Sequence, residues 1–348
     1  MNKGILIAVL ILVLIIVWVI DLLWSAGQFK ALEPHFDGKC TPITGIIGPE
    51  DITIHPKTVV AYISACDRRA VKKGKPGRGA IYAYDLNADT PKLINLTPDA
   101  GEELLPHGIS LYVGDEGNDV LFVIIHADGK HQIEIYDLKD GNLFHRKTLS
   151  DSLLISPNNL VAVGPESFYV SNDHLYVTGI KRMIEDYFRL RLSNVVYYDG
   201  SHFVEAESGF GYANGINISA DGKTLYLCAT TERTLHIFDR EPTTGKLIQR
   251  EKIKLNTGVD NIEVDEKGGL WIGSHPKLLS FVKHSQNPSK LSASQVLHIT
   301  PKPGGEYDIK EIYLNAGDEI SGSSVAAVFK SHMLIGAAFE PKFLDCQQ

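Results

Sequence analysis

The sequence predicts an all-β domain, a six-bladed β-propeller, behind an N-terminal membrane-anchor helix and with one inserted amphipathic helix. Three observations predict it. The chain opens on an unbroken apolar run, a strand motif then returns at blade-sized intervals, and one of those intervals is too long for strands alone.

The apolar run comes first. Lys3 precedes Ile5–Ile20, sixteen apolar residues without interruption, followed by Asp21 and Leu22-Leu23-Trp24. From Ile5 to Trp24 is twenty residues, about the number a helix needs to cross ~30 Å of hydrocarbon. That exceeds the core of about 7–15 residues in a cleaved signal peptide. Trp24 suits the interfacial belt, and Lys3 places the bulk of the chain on the lumenal or extracellular side. Residues 1–27 are therefore read as a signal-anchor, although Ser25-Ala26-Gly27 keeps cleavage and secretion open. Residues 28–39 form a connector, and residues 40–348 form a single domain in an oxidising space.

Within that domain one pattern repeats: Ile81–Asp85, Ile133–Asp137, Val195–Asp199 and Leu235–Asp239, with weaker echoes at Leu278–Phe281 and Ser324–Phe329. The aromatics Tyr84, Tyr136, Tyr198, Phe238, Phe281 and Phe329 lie 52, 62, 40, 43 and 48 residues apart. Periods of about 40–50 residues containing several short strands belong to propeller blades, and six echoes imply six blades. The interval of 62 marks an insertion over 176–194. There Ile180, Met183, Ile184, Tyr187 and Phe188 fall on one helical face. Its Lys181, Arg182, Arg189 and Arg191 outnumber its acids, so the helix either rests near the membrane or packs on its own propeller.

Charge and cysteines narrow the function. A net charge of −8 argues against a nucleic-acid partner, which needs a basic face. The one dense basic stretch, Arg68 to Arg78, reads as a mobile surface loop. No CxxC pair exists for zinc or redox exchange. A bridge between Cys40 and Cys346 would staple the domain's two ends, while Cys66 and Cys228 sit in apolar runs as free thiols. Sequons stand at Asn95 and Asn217. There is no G-x-S-x-G elbow, zinc-binding H-E-x-x-H or dinucleotide G-x-G-x-x-G.

What remains is a set of hard oxygens and histidines. Glu50-Asp51, Asn172-Asp173, Asn214 and Asp260-Asn261 each lie beside a short β-like run. Calcium collects six to eight such oxygens, and amides add oxygens without adding charge. His107, between Pro106 and Gly108, and His126, before the turn containing Asp128, are candidates for a general base. His174 and His275 are similar.

The segments Gly48–Asp51, Pro106–Ile109, Val161–Glu166 with Ser171–His174, Ala213–Ser219, Val259–Ile262 and Leu270–Pro276 resemble, in order, the paraoxonase/arylesterase family. The resemblance runs from Cys40 to Cys346. It implies a six-bladed propeller with two calcium ions in its central tunnel. The catalytic ion would be held by Glu50, Asn172, Asn214, Asp260 and Asn261, and the structural ion by Asp51, Asp173 and the carbonyl of Ile109. His107 and His126 match the family's histidine dyad, Cys40–Cys346 its disulfide, and Tyr212 an aromatic pocket wall. Ser274 stands where the family often has Cys, and the inserted helix is more basic than in serum paraoxonases.

Two functions follow as expectations. One is a calcium-dependent hydrolase of aryl esters and lactones acting on a small-molecule substrate, tethered to a membrane by its N-terminal helix. The other is a non-catalytic tethered propeller, a chaperone or channel-assembly partner that keeps calcium for stability. The presence of both histidines and every presumed ligand favours the enzyme. Oligomeric state is not legible.

Overall fold

The computed structural model describes residues 3–101, 104–127, 129–302 and 304–347. Asp128, in the turn after His126, lies outside them.

Six antiparallel sheets follow one another along the chain. Blade 1 spans strands from Pro49–Ile54 to Leu93–Asn95, blade 2 from Pro106–Tyr112 to Asn142–Leu149, and blade 3 from Pro157–Ala162 to Phe203–Phe210. Blade 4 runs from Ala213–Ile218 to Leu247–Lys254 and blade 5 from Gly258–Val264 to Tyr307–Asn315. Blade 6 begins at Ser323–Phe329 and ends at Lys342–Gln347. In every blade the first of these strands is innermost, and the six innermost strands touch one another in a closed ring.

Closure uses the start of the domain. Lys39–Thr44 pairs with Lys342–Gln347 as the outer strand of blade 6, with Cys40 opposite Cys346 in register and joined to it as a disulfide. Cys66 and Cys228 are buried and free. The apolar core is not central: it lies between blades, in six clusters, one at each blade interface. Residues such as Ile52 and Ile63 of blade 1 meet Val325 and Leu334 of blade 6. Each blade buries both faces against neighbours, leaving the ring's axis to polar groups.

Four details depart from the expectations. Tyr84, Tyr136, Tyr198 and Phe238 do occupy third strands, but Phe281 lies in a helix, Leu278–Gln286, and Phe329 on an innermost strand. A short apolar run reads equally as strand or helix, so the count of six rested on four true repeats and two coincidences. The connector is also partly sheet, since His35–Phe36 adds to the edge of blade 5 against Leu314 and Tyr313. The basic stretch is not a mobile loop at its start. Arg68–Lys72 is a short helix capped by Asp67, whose side chain accepts from the Ala70 N–H. Finally, Asn217 is on an innermost strand and donates to the Ile262 carbonyl at 2.8 Å, a position no glycan can share with that contact. Asn95, at a blade edge, is exposed.

The N-terminal helix runs Lys3–Ser25 with a mean hydropathy of 3.3 over its best window, and none of that window is buried in the protein. The inserted helix is Gly179–Tyr187. Its apolar face points away from the propeller: Ile180, Met183 and Ile184 are exposed, Ile180 by 74%. The buried residue is Glu185, whose carboxylate accepts from the Leu175 and Tyr176 N–H groups at 3.0 Å each. Beyond the helix, Phe188 stacks on Trp18 at 5.2 Å, and Arg189 binds Asp21 and Ser25. The insertion thus holds the apolar helix to the rim of the propeller.

Candidate active site

Every innermost strand slips out of register near its start: at Pro49/Asp51, Pro106/Ile109, Pro157/Asn159, Ala213/Ile216, Val259/Ile262 and Ser323/Val325. Such bulges release residues from the ladder and re-aim their side chains. The residues released here are Glu50, His107, Asn158, Asn214, Asp260, Asn261 and Ser324, together with Gly108 and Gly215. Both glycines are forced by closeness. A Cβ on Gly215 would stand 2.4 Å from the Asp260 carbonyl oxygen, and one on Gly108 2.6 Å from the Asn159 Cα.

These side chains meet. Asn261 Nδ2 donates to Glu50 Oε1 at 2.8 Å, Asn159 Nδ2 to Asn261 Oδ1 at 2.6 Å, and Ser324 Oγ to the Glu50 carbonyl at 2.6 Å. Asp260 accepts from His275 Nε2 at 2.8 Å. Three of the cluster's buried oxygens have no hydrogen-bond partner: Glu50 Oε2, Asn158 Oδ1 and Asn214 Oδ1. A buried acceptor without a donor costs about 1–3 kcal/mol, so their convergence calls for a cation. Among the described residues no three His, Cys, Asp or Glu side chains cluster as a metal site. The cluster is half amide, which is the donor set of a hard ion such as calcium. The residues fit that ion.

Electrostatics agree. Burial pushes Glu50 up to about 8, with Asp51 and Asp260 adding to the rise and Arg68 opposing it. Burial likewise pushes Asp51 up to about 7, although the N–H groups of Ile109 and Ile52 hold it back. Both groups keep protons in the cation-free native state that the unfolded chain has released. Their contribution to the stability of that state therefore falls as pH rises from about 4 to 8, while histidines held below their usual range act in the opposite sense up to about pH 6.5. We expect chelator-treated protein to melt at lower temperature at pH 8 than at pH 7, above the range of the histidines, and added calcium to remove that slope. A flat profile in chelator would contradict the crowding of these carboxylates.

The histidines form a chain. His107 Nδ1 lies 2.8 Å from His126 Nε2, and His126 Nδ1 lies 2.7 Å from His131 Nδ1. His107 Nε2 faces Glu50 Oε1 at 3.8 Å. Burial, helped by Arg68, holds His107 well below its usual range, and burial with His131 pushes His126 down to about 3. Both are therefore neutral at physiological pH, which leaves a lone pair on one ring nitrogen of each.

A cavity of about 490 Å³ opens over this centre. Its lining includes Glu50, His107, Asn158, Asn214, Asp260 and Tyr212. Tyr212 holds a left-handed φ of 62° and packs edge-on against His174 at 4.6 Å. Asn172 is not part of the convergence. It sits on the second strand of blade 3, its amide spent on Ser156 N, Leu153 O and Asn194. Asn158, on the innermost strand, stands where Asn172 was expected. Asp173 is likewise engaged elsewhere, with His174 Nδ1 at 2.7 Å, Ser156 and Asn158. Against the cost of its burial, His174 and Arg182 hold its carboxyl below the usual range. Asp51 instead receives the Ile109 N–H at 2.9 Å. Sequence reasoning missed Asn158, Asn159, His131 and Glu263. Burial and the charge of Asp51 hold Glu263 well above the ordinary carboxyl range. The signal for Asn158 was present, since Asn-Asn follows Pro157 just as Glu-Asp follows Pro49.

Comparison with known proteins agrees with this architecture. The arylesterase family profile matches residues 32–347. Serum paraoxonase/arylesterase 1 of Homo sapiens is 35% identical over 331 residues, 92% of each chain. Serum paraoxonase/arylesterase 2 of Gallus gallus is 35% identical over 327 residues, 91% of each. Among solved structures, a luciferin-regenerating enzyme aligns with a TM-score of 0.56 at 13% identity, covering 89% of this chain and 95% of its own. A gluconolactonase from Xanthomonas campestris aligns at 0.54 and 13%, covering 92% and 99%. These two show the fold alone. A family profile over residues 32–347 and relatives at 35% identity covering more than 90% of the chain leave one conclusion: the chain belongs to the arylesterase family, the ester-hydrolysing enzymes that include the serum paraoxonases.

Proposed function

We propose that this chain is a calcium-dependent hydrolase of aryl esters and lactones, held at a membrane by its N-terminal helix. The observation that carries the proposal is one cavity presenting three orphaned oxygens beside a neutral histidine pair. Glu50, Asn158, Asn214, Asp260 and Asn261 would hold one calcium ion, which when bound supplies Lewis-acid polarisation of an ester carbonyl. Asp51 and the Ile109 carbonyl would hold a second, with Glu263 as a further carboxylate. In this reading His107 takes the proton of the attacking water on Nε2. Its Nδ1 side is fixed by His126, which is in turn held by His131, so the imidazole keeps one orientation. Tyr212 and Phe281 wall the cavity and limit access of bulk water.

The test is turnover of phenyl acetate and a δ-lactone by the full chain in detergent, with and without chelator. We expect activity that chelation abolishes and calcium restores. Turnover indifferent to chelator would remove the mechanism.

A further inference from the structure

The cavity that holds the oxygen cluster has a cationic rim: Arg68, Lys72, Arg182 and Arg189 all line it. Their partners are unequal. Arg189 is paired with Asp21. Arg182 Nε reaches Asp186 at 3.1 Å, but that carboxylate also accepts from His174 Nε2 at 2.7 Å. Arg68 spends its guanidinium on the carbonyls of Gly48 and Pro106, at 2.9 and 3.0 Å, and stands 3.8 Å from Glu50, beyond hydrogen-bond distance. Lys72 has no carboxylate within ion-pair distance among the described residues. Its ammonium rests over the Phe339 ring at 4.6 Å.

We propose that this rim is a subsite for a negatively charged group on the substrate, so that the chain prefers esters or lactones bearing a carboxylate or phosphate to their neutral counterparts. The inference rests on the hydrolase reading above. Local crowding of cations around Lys72 supports it: burial of the ammonium, with Arg68, Arg182 and Arg69 nearby, pushes Lys72 down to about 8, although the residue as a whole is exposed. Cations that crowd one another gain most from an anion set between them. Part of the remaining wall is apolar, through Leu278, Leu279, Val282 and Phe339, and suits the hydrocarbon part of such a substrate. Because Glu50 and His107 line the same cavity, an anion at the rim would orient the ester toward them rather than bind at a separate place.

The experiment compares 4-acetoxybenzoate with its neutral methyl ester, each rate corrected for hydroxide-catalysed hydrolysis. The full chain is used in nanodiscs of neutral phosphatidylcholine. We expect a kcat/KM ratio favouring the anion at least about fivefold at low salt, falling toward one in Lys72→Gln and in about 0.5 M NaCl, and kept by Lys72→Arg. A ratio untouched by both salt and Lys72→Gln overturns the subsite. If neither ester is hydrolysed, the hydrolase reading fails by itself, and calorimetric binding of 4-hydroxybenzoate decides the subsite. Salt-sensitive binding lost in Lys72→Gln supports it; absence of binding overturns it. Nanodiscs containing phosphatidylserine separate substrate from lipid. Selectivity preserved there supports a substrate subsite, whereas selectivity lost there assigns the rim to headgroups and overturns the proposal.

Discussion

Glu50→Gln is expected to lower kcat/KM for phenyl acetate by about 10²–10³-fold, the scale of removing one preorganised electrostatic group from an ester-hydrolysing site. The substitution keeps the side chain's size and an oxygen for the Asn261 amide, but removes the charge around which the cluster is arranged. A structural reading and a chemical one diverge in stability. Burial holds the Glu50 carboxyl up to about 8, so the native state without cation carries it unwillingly at higher pH. In chelator at pH 8 the Gln variant should therefore melt at or above the wild-type temperature, and calcium should stabilise it less. Full activity in Glu50→Gln, or a variant that melts lower in chelator while responding normally to calcium, would sink the assignment.

The second large effect lies far from the cavity. Cys346→Ser, or reduction of the wild type, is expected to destabilise the domain by about 3–5 kcal/mol. The bridge closes a loop with a sequence separation of 306 and joins directly opposed residues of the strands that complete the ring. On the chain-entropy argument its contribution is at the upper end for disulfides. Without it, Lys39–Thr44 is held by its ladder and the packing of Ile43, and fraying there exposes the outer edge of blade 6. Thermal melting with and without reductant checks this. An unchanged midpoint would mean that the ladder and the interface around Met333, Leu344 and Trp271 suffice. Activity at low temperature should persist, because neither cysteine lines the cavity.

Much of the molecule was written locally. Twenty residues from Ile5 to Trp24 specify an apolar helix by length and composition alone. Tyr84, Tyr136, Tyr198 and Phe238 announce third strands because strand patterning is a property of a few adjacent residues. Glu50, Asn214 and Asp260-Asn261 could be picked out since each interrupts a strand with oxygen donors. Phe281 shows the limit. Its apolar neighbours satisfy helix and strand alike, and only packing beside His275, with ring centroids 3.7 Å apart, decides. Asn172 and Asn158 show another. Both precede a polar residue in blade 3, and both are buried, but one faces the neighbouring strands of its sheet and the other the axis.

The amino-acid order alone determined the apolar N-terminal helix, the nature of the blades and four of their repeats, the arylesterase resemblance and most of the oxygen donors, because these depend on periodicity and residue type within short windows. Tertiary structure alone decided which donors converge, that His131 extends the histidine pair, and that the basic stretch and the inserted helix frame one cavity with the N-terminal helix. The convergence of the donors depends on where six register slips aim their side chains, since a slip of one residue reverses the face a side chain occupies, and the rest depends on contacts between elements far apart in the chain.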